Sequence, residues 1–155
     1  MQWIPPLNNQ LKLNVNGAVS KSSGVAAYRG LIRDSLGKFI IGFYFRLNSC
    51  SPLSVKLWDL CMGLHLVMLK NIQSILIESD SKFAINLILH IQSSSHPLFT
   101  LICNIRESLR KVQFVRFSHI CREVNHCVDS LVKMSLDLLS PSCWLDIPPS
   151  SLVFL

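Results

Sequence analysis

Charge is scarce in this sequence. Only 15% of its 155 residues are charged, which excludes the highly charged, weakly apolar composition of a disordered chain. The charge present leans positive, to a net +6. Yet Arg106, Arg110, Lys111, Arg116 and Arg122 are spread out, and no Lys/Arg cluster forms. Such a balance admits a polyanionic partner without specifying one. Paired cysteines are missing too. None of the six follows Cys-x-x-Cys spacing, and Cys121, His126 and Cys127 lack the tight pairing of a structural zinc site. Most sit in apolar context and read as small core residues of a protein kept in a reducing compartment, nuclear or cytoplasmic. The opening MQWIPPLNNQ has neither a basic n-region nor an apolar h-region, so it does not read as a signal peptide. No apolar run reaches the roughly 18 residues that span a bilayer. The most apolar stretch, residues 53–69, is broken by Lys56, Asp59 and His65. No membrane partner is expected, and there is no internal repeat.

Apolar residues are plentiful. They make up 50% of the chain, enough for one domain that buries roughly two thirds of its unfolded surface. In LKLNVNGAVS (11–20), Leu11, Leu13 and Val15 alternate with Lys12, Asn14 and Asn16, the period of a half-buried strand whose polar row faces water or a site. Residues 24–33 and 38–46 read as two more strands, joined through Asp34-Ser35-Leu36-Gly37, a turn with glycine available for positive φ. After Ser51 as cap and Pro52 in the first turn, Leu53, Leu57, Leu60, Leu64, Val67 and Met68 form one helical stripe. Residues 73–79 read as a buried strand, Asp80-Ser81 opens a helix to about His90, 98–110 is a further helix, 112–119 a strand, and 123–138 a last helix. Hairpins in front and helix crossovers behind predict a mixed α/β domain over residues 1–140, with a five-stranded sheet flanked by helices. A tail of uncertain structure, 141–155, follows.

Five segments carry a resemblance: WIPPLNNQLKLNVNGA (3–18), GLIRDSLGKFIIGF (30–43), KLWDLCMGL (56–64), ILIESDSKFAINLI (75–88) and HICREVNHCVDSLVK (119–133). In this order and spacing the chain resembles the type-one ribonuclease H domains of plant non-LTR retrotransposons and their domesticated relatives. The resemblance implies a ribonuclease H-like fold. It also implies cleavage of the RNA strand of RNA–DNA hybrids by two Mg²⁺ ions held by four acidic side chains, since paired dications and a phosphodiester need several negative charges in one cleft. Carried onto this chain, the third acid is Asp80 and the fourth Asp129, which are the metal ligands if any metal binds. The first position is Asn16 and the second Lys56. His119 falls where many such enzymes place a histidine that helps product leave.

Asn16 offers a neutral amide oxygen, and Lys56 adds a cation, so the set holds one net negative charge where the family has four. Metal binding is therefore expected to be weak or absent, and hydrolase activity impaired. Asp59, a turn beyond Lys56, and Glu78, two residues before Asp80, are the neighbours placed to rescue a single ion. Otherwise the Lys56 ammonium is expected to neutralise Asp80 and Asp129. On the nucleic-acid side, Arg29 stands where glycine is common in the family, to contact phosphate or to block its approach, and Asn125 belongs to the REVN run. Each residue also has a plainer role: Asp80 as a helix cap, Asp129 and Asn125 as polar positions of an amphipathic helix, His119 as a surface histidine. Three functions follow: an impaired RNA–DNA hybrid-binding module, an active ribonuclease with a rearranged site, or a transposon-derived domain used for protein interaction. A nucleic-acid partner is expected, and no small-molecule substrate.

Overall fold

The architecture comes from a computed structural model, which describes residues 4–7, 9–47, 50–90, 94–122 and 142–145. Three strands come first: β1 (Leu11–Val19), β2 (Ala26–Arg33) and β3 (Phe39–Leu47). They pair antiparallel in sequence order. The turn between β2 and β3 is closed by Asp34, whose carboxylate accepts the Leu36 and Lys38 amides at 2.9 Å each. Gly37 there takes φ +78°, a left-handed conformation that glycine adopts without the strain a Cβ brings.

Helix α1 (Pro52–Leu69) follows, capped by Ser51 Oγ, which accepts the Ser54 amide at 3.1 Å. By length and composition α1 could cross a membrane. Its stripe of Val55, Leu57, Leu60, Leu64 and Val67 is instead buried in the domain's core, as in a central core helix. Strand β4 (Ser74–Ser79) then pairs parallel with β1, and β5 (Phe114–His119) parallel with β4. Between them lie α2 (Lys82–Leu89) and α3 (Phe99–Arg110). Arg106 of α3 donates to the Ile88 and Leu87 carbonyls at 2.8 and 3.2 Å, satisfying the open end of α2.

The expected five-stranded mixed sheet with helices is present. The tail contributes a sixth strand, β6 (Ser142–Leu145), antiparallel to β3, so the order is β5-β4-β1-β2-β3-β6. The helix expected over 123–138 lies outside the described residues.

Of the two readings left open for the polar row of β1, water or a site, the structure removes the first, because Lys12, Asn14 and Asn16 are all buried. Arg33 donates to Asn14 Oδ1 at 2.9 Å, Asn14 Nδ2 donates to Glu78 Oε1 at 2.9 Å, and Lys12 Nζ lies 3.2 Å from Glu78 Oε2. Lys12 also donates to the Ile4 carbonyl at 2.6 Å. Alternation reports that two faces differ in chemistry, not that one of them is wet. The opposite face of β1 packs on α1 at close range. A Cβ on Gly17 would lie 2.9 Å from the Val55 carbonyl oxygen, so glycine is what lets helix and strand approach there.

Candidate functional site

The strand register brings the site together. Pairing of β1 with β4 ends at Val15 and Ser79. One step further on lie Asn16 and Asp80, level with each other where the parallel strands stop. In open α/β sheets this carboxyl end is where ligands bind. Helix α1 then delivers Lys56, its fifth residue, to the same point. Its ammonium donates to Asp80 Oδ1 at 2.6 Å and to Asn16 Oδ1 at 2.5 Å. Asn16 Oδ1 also accepts the Gly17 amide at 2.8 Å.

Asp80 is free of the capping role that was its plainer reading. Ser81 caps α2, its Oγ accepting the Ala84 amide at 3.2 Å. Both carboxylate oxygens of Asp80 are met by cations instead: Oδ1 by Lys56, and Oδ2 by Arg122 at 3.5 Å. His119, exposed at the end of β5, places Nε2 3.2 Å from the Asp80 carbonyl. Three of the sequence-derived residues (Asn16, Lys56, Asp80) thus touch directly, and His119 joins through Asp80. Asp129 and Asn125 lie outside the described residues. Arg29 is not placed to meet a phosphate. It is 0% exposed, and its guanidinium donates to the Asn16 carbonyl at 3.1 Å. Its position opposite Asn16 in the sheet turns it inward.

Neither rescue ligand is open. Glu78 is committed to Lys12 and Asn14. Asp59 is 0% exposed, and among the described residues neither of its oxygens has a hydrogen-bond partner of ordinary geometry. Burial, the largest influence, pushes its pKa well above the usual carboxylate value; Lys56 pulls it down, Asp80 pushes it up, and Arg29 and the Leu60 amide favour the anion too weakly to reverse this. Burial likewise pushes Tyr28 up to about 12. Among the described residues no group of three or more His, Cys, Asp or Glu side chains is gathered to hold a metal ion. The described donors do not fit a pair of divalent ions, because Asn16, Lys56 and Asp80 bring one carboxylate between them and the Lys56 ammonium is bonded to it. A unit charge about 4 Å from a dication is repelled by several kcal/mol even at an effective dielectric of about 20.

The residues enclose a cleft of about 450 Å³, with Lys56, Asp80, Phe83, His119 and Arg122 on its walls. Arg122 and Phe83 were missed from sequence. The available signal for Arg122 was its place three residues after His119.

A family profile described as reverse transcriptase-like matches residues 14–135. Among curated proteins no relative matches the chain. Solved structures of similar fold include ribonuclease H1 from the halophilic archaeon Halobacterium salinarum, with TM-score 0.75 and 18% identity over 83% of this chain and 98% of that one. The N-terminal ribonuclease H domain of a Mycobacterium tuberculosis protein matches with TM-score 0.74 and 15% identity, covering 83% and 94%. A ribonuclease H1 isolated from compost, solved in complex with an RNA/DNA hybrid, matches with TM-score 0.73 and 18% identity, covering 83% and 97%. At these identities the likeness shows the fold.

Proposed function

Since the chain belongs to the reverse transcriptase-like family, we propose that it is a ribonuclease H-like domain that binds RNA–DNA hybrids and has lost two-metal hydrolysis through Asn16 and Lys56. The observation that carries this reading is the Lys56 ammonium bonded at once to Asp80 and to the amide of Asn16. Two-metal catalysis needs ions that bridge the attacking and leaving oxygens. Here the first-strand position supplies a neutral oxygen already shared between Gly17 and Lys56. The second position supplies a charge of the wrong sign. Asp80 keeps its role as an acid of the site, but its partner is now part of the chain. Asp129 would be the second retained acid and Asn125 a nucleic-acid contact, both by resemblance. Mg²⁺, the ion that the resemblance implies, would find little to hold it. His119 stays at the rim, where product leaves in related enzymes. The matching segments support descent from a plant non-LTR retrotransposon, with residues 1–140 as the body of the domain and the β6 strand of the 141–155 tail added to its sheet.

A labelled RNA–DNA duplex tests the reading, incubated with Mg²⁺ or Mn²⁺ and either the natural protein or the double variant Asn16→Asp plus Lys56→Glu. The natural protein is expected to leave the duplex intact and the double variant to cut its RNA strand. Cleavage by the natural protein above background would overturn the reading in favour of an active enzyme with a rearranged site.

A further inference from the structure

We propose that Lys56 is a tethered cation in the cleft, and that with Arg122 it binds a phosphate of the hybrid backbone without any divalent ion. The inference deepens the hybrid-binding reading and rests on it. Three observations carry it. The first is the count of donors. A lysine ammonium has three N–H groups, of which one goes to Asp80 and one to Asn16. The third is uncommitted among the described residues, and the Lys56 side chain is 13% exposed, so it opens on the cleft.

The second is the state of Asp80. Both of its oxygens are already covered by cations. A phosphate entering the cleft therefore meets two positive groups against one compensated carboxylate. In the metal-dependent arrangement the same acid would repel an anion until ions arrived.

The third is the reach of Arg122. Its side chain is 76% exposed, and its Nε lies 3.5 Å from Asp80 Oδ2. Among the described residues no hydrogen bond takes its two terminal nitrogens, which suit the forked, bidentate grip on phosphate oxygens. Phe83 stands at the mouth of the same cleft, 62% exposed, with a ring that can stack on a base.

Fluorescence anisotropy of a labelled RNA–DNA hybrid tests this, with the full chain in EDTA and again in Mg²⁺. Affinity is expected to agree within about twofold between the two buffers, since phosphate contacts through side-chain cations release counterions with no ion required. Lys56→Met and Arg122→Ala should each weaken binding about tenfold and reduce the slope of log affinity against log salt by about one. Lys56→Arg, which keeps the charge, should retain most of the binding. Arg122 is exposed enough that its replacement leaves folding intact, and circular dichroism checks the Lys56 variants.

Binding that appears only with Mg²⁺ overturns the inference while leaving hybrid binding in place. So does natural affinity in folded Lys56→Met or Arg122→Ala. Absence of binding in both buffers overturns this inference together with the hybrid-binding reading.

Discussion

A single side chain, Lys56, reverses the electrostatic logic of its surroundings, and the effect reaches a residue that never touches solvent. Asp59 lies one turn further along α1, fully buried and with no aligned donor among the described residues. With its folded pKa raised well above 3.8, it keeps its proton in the folded state at pH values where the unfolded chain has released it. A raised carboxylate therefore favours folding at acid pH, and that contribution fades as pH climbs from the unfolded value towards the folded one. Asp59→Asn removes this titration. Its gain in Tm over the natural protein should widen as pH rises above the unfolded carboxylate value of 3.8, as read by thermal denaturation at a series of pH values. A gap that stays constant with pH would mean that Asp59 is not held protonated. The exchange of charge at positions 16 and 56 was legible from sequence, because a lysine in place of an acid is visible wherever it is folded. The burial of Asp59 and Arg29 was not. Polarity suggests exposure, and the packing that overrides it belongs to neighbours distant in the chain.

Secondary structure followed its periodicities closely, since caps and turn residues are local chemistry. Ser51 with Pro52 starts α1, and Asp34 with Gly37 turns β2 into β3. What periodicity could not supply was how closely α1 lies on β1. That distance places Lys56 over Asn16, and it depends on Gly17. Gly17→Ala would push a methyl to 2.9 Å from the Val55 carbonyl oxygen and 3.1 Å from its Cγ2. A loss of about 1–3 kcal/mol is expected in urea denaturation, because strand and helix must separate to admit it. An unchanged midpoint would show that the helix has room to spare.

Across the molecule, β3 would be an outer strand of the sheet were it not for β6, which covers its edge. Four residues of tail recruited by pairing leave no periodic trace, which is why the sixth strand escaped a reading based on pattern. A chain shortened to residues 1–140 is expected to melt a few degrees lower and to self-associate as concentration rises, since a bare edge templates further pairing. Sedimentation velocity at two concentrations decides the second point; a monomer at both would mean that β3 protects itself.

The ladder Arg33–Asn14–Glu78–Lys12 binds three neighbouring strands through their polar side chains. Its consequence is for assembly. If β1 slipped against β4 by two residues, Lys12 or Asn16 would stand opposite Glu78 in place of Asn14, and the bonds that join Glu78 to Asn14 and Lys12 together would not both survive in a dry interior. The ladder thus acts as a keyed joint that closes in one alignment and rejects the near misses that greasy strands would otherwise tolerate.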